Sequence, residues 1–199
     1  MSNELFSPRQ DIVFKMLFGS EGSTDILTAF LKAVLPLSDD EYAEVTLLNP
    51  ISTSDFPDDK ICILDVKVET AKGRIIDVEI QVANKSDLRE RIVYYLSKMV
   101  TEQVGKGESY LTIKPSVCIL ITDFVLVPEN ARYHNRYRLR DFATGSEFTD
   151  LMEVNTLELP KLPDNSDGTP EWFWLAFLKD DREEVYEVLS DNNPDVKKA

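Results

Sequence analysis

Two neighbouring stretches of the chain alternate between aliphatic and polar residues. They are "CILDVKVE" from Cys62 to Glu69 and "RIIDVEIQV" from Arg74 to Val82. A period of two marks β-strands with one buried face. Between them, after Thr70, lies Ala71–Lys72–Gly73. A three-residue hairpin loop closes through a left-handed residue, usually glycine, and Gly73 holds that last position. The loop then fixes a register: Thr70 opposite Arg74, Lys67 opposite Asp77, Asp65 opposite Glu79, Ile63 opposite Gln81. One face of the pair would carry Cys62, Leu64, Val66 and Val68 against Ile76, Val78, Ile80 and Val82, with no polar side chain. A core strand pair needs such a face.

Helical spacing frames this hairpin. Residues 8–18 place Ile12, Val13, Met16 and Leu17 on one stripe before Gly19. A second helix is predicted over Thr24–Leu35, with Ser23 as N-cap and Pro36 beyond its end. Residues 37–60 read as an acidic loop with a short strand near Val45–Leu48. After the hairpin, Asp87 with Glu90 three residues on suggests a capping box. That helix is predicted to run to about Val104 and to end at Gly105. It would bury Leu88, Ile92, Leu96, Met99 and Val100, with Arg91, Tyr94, Tyr95 and Lys98 nearer another side. Residues 115–124, "PSVCILITDF", read as a fully buried strand. The order α-β-β-β-α-β predicts an α/β sandwich around a mixed sheet.

The last third carries two more strand-like stretches, "RYHNRYRLRDF" and "MEVNTLELPKL", joined through a turn at Thr144–Gly145. A Pro/Asp/Ser/Gly linker over 162–170 leads into the aromatic helix "EWFWLAFL". "EEVYEVLSDNNPDVKKA" reads as the next helix, and its lack of a cap suggests a chain cut short. The chain thus divides into a core over 1–127, added strands packed on it over 128–162, and a linker with C-terminal helices over 163–199.

Composition narrows the class. The 199 residues are 43% hydrophobic and 29% charged, an ordinary globular balance with room for a real core. No apolar run nears the roughly 20 residues that cross a bilayer, and "MSNELFSPRQ" has no basic-then-apolar signal pattern. The reading is a cytoplasmic protein with no membrane partner. Cys62 and Cys118 sit in aliphatic runs and read as buried thiols. With a single histidine besides, they make no structural zinc site. The net charge of −14 argues against nucleic-acid binding by overall charge, though not against a local basic surface.

Asp65 and Glu79, side by side on a hairpin, repel unless one is protonated or a cation lies between them. Mg²⁺ takes one or two carboxylates and completes its shell with water and phosphate oxygens. Gln81, two residues on, points the same way and could orient a water. Such a group suits metal-assisted phosphodiester hydrolysis. Spacing alone fits the solvated face of an antiparallel pair more readily. Two features weigh against that: Ile61, Ile63, Ile75 and Ala83 flank the carboxylates, and the hairpin lies between a helix and another aliphatic strand.

Several stretches in order resemble the PD-(D/E)XK nuclease superfamily, in its branch of transposase-like, recombination-promoting nucleases. They are "DIVFKMLFG" (11–19), "ILDV" (63–66), "DVEIQ" (77–81), "RERIVYYLSKMVTEQVGKGESY" (89–110) and "LELPKL" (157–162). The resemblance implies a restriction-endonuclease-like core with a C-terminal β and helical extension. It implies a bacterial Mg²⁺- or Mn²⁺-dependent DNA endonuclease with Asp65 and Glu79 as metal ligands. Gln81 stands in place of the usual lysine and cannot supply its charge. Leu64 stands where proline often precedes the aspartate. A catalytically degenerate module acting in protein or DNA binding is the alternative, and a homo-oligomer is left open.

Other residues have two readings each. Asp11 is either a third acid at the site, as the superfamily often donates from this helix, or a residue favoured by the helix dipole. Lys15, one turn on, either contacts phosphate or pairs with Asp11. Arg91, Tyr94 and Lys98 either hold a nucleic-acid backbone or form a solvated helix edge. Arg132, His134, Arg136, Arg138 and Arg140 share one parity. They make either a phosphate track or a charged edge strand that blocks aggregation. Trp172, Phe173, Trp174 and Phe177 read as packing rather than as a base-stacking platform.

Overall fold

The computed structural model describes residues 7–52, 62–180 and 193–199. Helices α1 (Asp11–Phe18) and α2 (Thr24–Val34) come first, then strands β1 (Val45–Leu48), β2 (Ile51–Ser52) and β3 (Cys62–Ile63). The hairpin strands are β4 (Val66–Thr70) and β5 (Ile75–Gln81), followed by helix α3 (Leu88–Thr101) and strand β6 (Ser116–Thr122). Strands β7 (His134–Arg140) and β8 (Glu147–Glu158) and helix α4 (Pro170–Lys179) complete the described elements longer than one turn. Six strands form one sheet in the order β1-β4-β5-β6-β8-β7, while β2 and β3 pair apart from it. β5, β6 and β8 run parallel, and β1, β4 and β7 are antiparallel to their neighbours.

The sheet is a sandwich filling. On one face Phe14, Phe18, Phe30 and Trp174, from α1, α2 and α4, pack on Val66, Val78 and Ile119. On the other, α3 lays Leu88 and Ile92 over Cys118 and Leu120, and Leu96 and Met99 over Ile75. The α3 crossover between parallel β5 and β6 is the covering that a parallel pair requires. The mixed sheet flanked by helices has the predicted α/β architecture.

The hairpin turn forms as its sequence predicts. Gly73 has φ 84°, its N–H bonds Thr70 O at 2.8 Å, and Thr70 N–H bonds Arg74 O at 2.9 Å. Val66 faces Val78 and Lys67 faces Asp77. The regular ladder ends there, and the expected single strand from Cys62 to Glu69 breaks at Leu64–Asp65. Ile63 pairs with Ile51 of β2, not with Gln81. Cys62 and Leu64 bury against α3, on the side opposite Val66 and Val68, and Val82 is exposed. The continuous dry face therefore stops at Val66 and Ile80.

Other boundaries shift for local reasons. In α1 the buried pair is Phe14 and Phe18, while Ile12 (72%) and Met16 (68%) are exposed. Six of its eight residues are apolar, so the aromatic partners across the core, not periodicity, choose the buried side. Ser23 makes no N-cap bond, because its hydroxyl donates to Met16 O at 3.0 Å. Asp87 likewise caps nothing through its side chain, and α3 ends at Thr101 before Gly105. β8 starts at Glu147, five residues before the predicted stretch. α4 is capped by Thr169, whose hydroxyl accepts from Trp172 N at 3.1 Å. Trp174 is buried against Phe18 and Phe30, which bears out its packing role. Ile61 and most of the last predicted helix lie outside the described residues. Within 193–199 only Val196–Lys198 form a helical turn.

Candidate active site

The break in β4 creates the site. Beyond Val66 the two hairpin strands are joined by side chains instead of ladder bonds. Glu79 Oε1 accepts the N–H of Asp65 at 3.2 Å, and Asp65 Oδ2 accepts the N–H of Ile80 at 3.2 Å. Each carboxylate is thus clamped by backbone on the opposite strand. Gln81 Nε2 lies 3.5 Å from Glu79 Oε2, so the amide leans on the carboxylate. The three side chains cluster near the C-terminal end of β5, where open α/β sheets bind ligands.

Burial dominates the electrostatics of the site. Burial, and then the neighbouring Asp65, push Glu79 up to about 8. Burial also raises Asp65, against the pull of Lys15. Asp77 lies on the same face of β5 and is fully buried. Burial and then the Glu79 charge raise its pKa well above the ordinary range. Its Oδ2 accepts from Cys118 Sγ at 3.6 Å, and Oδ1 has no partner. Cys62 and Cys118 are free, buried thiols, and desolvation raises both.

Two cations flank the carboxylates. Lys15 Nζ, from α1, lies 3.0 Å from Asp11 Oδ1, the partner expected for it, and 3.0 Å from Asp65 Oδ1, which was not expected. Arg91, from α3, lies over the Tyr95 ring at 5.9 Å and favours the ionised form of Glu79. Tyr95 was grouped with Arg91 on that side of α3 but given no role at the site. Its i+4 spacing from Arg91 is the signal that pairs the two. Tyr94 packs in the apolar layer under α3, and Lys98 lies two turns beyond Arg91.

The arginine ladder lies elsewhere. Arg136 and Arg138 are in register with Asn155 and Glu153, which align through Ile119 and Val117 with Val78 and Ile76. That row faces α1, α2 and α4, opposite Glu79 and Gln81. Acids already occupy it: Arg136 meets Glu153 at 3.0 Å, Arg138 meets Glu147 at 2.9 Å, and His134 meets Glu171 at 2.7 Å.

The donor set of Asp65 and Glu79 fits a small divalent ion. They are two hard oxygen ligands, held by backbone, in a corner where burial raises both carboxyl pKa values. Among the described residues no three acidic, histidine or cysteine side chains converge into a cage, so water and substrate oxygens would complete the shell. No described helix is long and apolar enough to cross a membrane.

A family model described as PD-(D/E)XK nuclease family transposase matches residues 8–199. No curated protein and no solved structure matches the chain.

Proposed function

The chain belongs to the PD-(D/E)XK nuclease family transposases, and on that premise we propose that it is a metal-dependent DNA endonuclease. The observation that carries this reading is the mutual clamping of Asp65 and Glu79 where the ladder breaks. A strand pair held only for stability would continue its backbone bonds. Here two buried carboxylates replace them.

Asp65 and Glu79 would hold Mg²⁺ or Mn²⁺, with Asp11 reaching the same corner through Lys15. When bound, the ion supplies electrostatic stabilisation of the phosphate and of the departing oxygen. The reaction is hydrolysis. A water oxygen bonds to phosphorus, the bond from phosphorus to one deoxyribose oxygen breaks, and the leaving oxygen is protonated while water loses a proton to solvent. Gln81 steadies Glu79 and orients water. Lys15, beside Asp65, and Arg91, which acts on Glu79, would hold the DNA backbone, with Tyr94 and Lys98 of the same helix as Arg91. Arg136 and Arg138 are left out, because they lie on the other face with acids as partners.

A second reading, a degenerate module that binds without cutting, is favoured by Lys15. Its ammonium already serves Asp65 as a cation, and Gln81 lacks the lysine charge. An end-labelled DNA oligonucleotide incubated with Mg²⁺ separates the two. Strand cleavage by the wild type that Glu79→Gln abolishes supports the nuclease. Binding without cleavage supports the module.

A further inference from the structure

The surface around the carboxylates is apolar. Ile12, Met16, Ile63 and Val82 are large, exposed side chains. Ile12 follows Asp11, Met16 follows Lys15, Ile63 lies just before Leu64 and Asp65, and Val82 follows Gln81. Exposed apolar side chains scattered singly are ordinary, but a group of them around one site marks an interaction surface. Ile12 and Met16 are one helical turn apart and share the outward side of α1, while Phe14 and Phe18 face the core. Lys15, beside Met16 in sequence, reaches Asp65 Oδ1 at 3.0 Å, so this stripe is tied directly to the carboxylates. Its base is firm: Met16 O accepts the Ser20 hydroxyl at 2.9 Å and the Ser23 hydroxyl at 3.0 Å. The nearby cations already meet acids, Lys15 with Asp11 and Asp65, and Arg9 with Asp123, whose N–H bonds Gln81 O. Phosphate attraction supplies much of the affinity of an ordinary DNA-binding surface, and acids weaken it here, in a chain of net charge −14. A DNA strand reaching Asp65 and Glu79 therefore meets aliphatic carbon beside them, which matches the faces of bases and not phosphates.

We propose that Ile12 and Met16 enter a base step of the DNA beside the phosphate presented to Asp65 and Glu79, and that the site thereby selects DNA that unstacks easily at the point of cleavage. The assignment rests on the nuclease reading above. Isoleucine and methionine are among the side chains that wedge between base steps and kink a duplex. Opening the step is easiest at a flexible pyrimidine–purine step or a mismatch and hardest in a stiff A-tract. Unbranched Met16 adapts to the gap, and β-branched Ile12 stands beside it in few rotamers. The two residues set specificity, and the chemistry stays with the carboxylates.

The test uses the full chain and DNA duplexes of equal length that carry 2-aminopurine at a TA step, beside a mismatch or within an A-tract. This base brightens when it unstacks. Affinity and brightening are read with Ca²⁺ in place of Mg²⁺, and cleavage is read with Mg²⁺. The wild type should brighten the probe at the TA step and the mismatch and bind those duplexes roughly tenfold more tightly than the A-tract. Ile12→Ser and Met16→Ser should lose the brightening and bind all three duplexes alike, whereas Met16→Leu should keep both readings. Both serine changes fall on the solvent side of α1, so the fold is retained, which circular dichroism checks. Leu111→Ser alters an exposed apolar residue in the turn Tyr110–Thr112, before the opposite end of β6, and should behave as wild type. A wild type that binds and cuts without brightening the probe overturns the proposal and leaves the nuclease reading standing. Brightening that survives both serine substitutions also overturns it. So does a dimer, read by sedimentation, that Met16→Ser dissolves while DNA binding is unchanged, since the stripe then faces a second copy. A wild type that binds and unstacks without cutting removes the nuclease reading and keeps the wedge. A wild type that does not bind DNA overturns both.

Discussion

Asp65 and Glu79 are tied to each other's strands: Glu79 Oε1 accepts Asp65 N–H and Asp65 Oδ2 accepts the N–H of Ile80, both at 3.2 Å. The pair therefore has a structural and a chemical role at once. The backbone bonds hold the carboxylates in place, and their shared, buried corner makes them costly to ionise together. Such strain is expected where function is favoured over stability. Glu79→Gln keeps the acceptor oxygen for Asp65 N–H and removes the charge conflict. In chelator at neutral or higher pH it should melt at the wild-type temperature or a few degrees above it, roughly 2–4 °C per kcal/mol for a chain of this size. A differential scanning calorimetry scan that shows a marked loss of stability would mean that the charge of Glu79 is itself structural.

Metal binding should stabilise the fold through the same two residues. At about 100 times the dissociation constant, a divalent ion adds about 2.7 kcal/mol to the folded state. Mg²⁺ should therefore raise the melting temperature of the wild type and leave that of Asp65→Ala unchanged. An equal rise in both would place the ion elsewhere.

The hairpin is also fixed from outside its own sequence. Glu41, buried in a helical turn before β1, accepts from Thr70 Oγ1 at 2.7 Å and meets Arg74 Nη2 at 3.2 Å. Glu41→Ala leaves a mostly buried guanidinium unpaired and should cost about 3 kcal/mol in denaturant unfolding. Glu41→Gln retains the hydrogen bonds and should cost less. Equal losses in the two variants would show that packing matters here and not charge.

His134 gives the fold a pH dependence independent of the carboxylates. Burial lowers its pKa, but Glu171 and Asn155 outweigh burial and the nearby Arg136, so the folded value lies above the ordinary 6.5. The folded state binds this proton more tightly than the unfolded chain. The contribution is complete below the unfolded pKa and is lost as pH rises through the folded one. Wild-type stability should fall more than that of His134→Asn between mildly acidic and mildly alkaline pH. Parallel pH–stability curves for the two proteins would contradict this.

How far the sequence could be read depends on where local pattern decides. Gly73 and the alternating strands specify the hairpin register, and that register brings Asp65 and Glu79 together. Parity then misleads at Cys62 and Leu64, because it assumes an unbroken ladder. The side chains of Asp65 and Glu79 replace that ladder and turn the chain toward α3. Phe14 and Phe18 could not be told from Ile12 and Met16 in a helix apolar on most sides, since Phe30 and Trp174 lie far away in sequence. The arginine ladder was visible as a stripe, but nothing local reveals that Glu153 and Glu147 meet it, or that its face is opposite the carboxylates. Arg91 was legible as a basic residue on α3. That its Nε and Nη2 are buried without an acceptor appears only once the helix is docked on the sheet.

The most direct test of the account is nicking of supercoiled plasmid by the wild type, Asp65→Ala and Glu79→Ala, with Mg²⁺ or Mn²⁺ and with chelator. The account predicts metal-dependent nicking by the wild type that is lost in both variants while their circular dichroism stays native. Absence of nicking by folded wild type, or nicking that survives both substitutions, would contradict it.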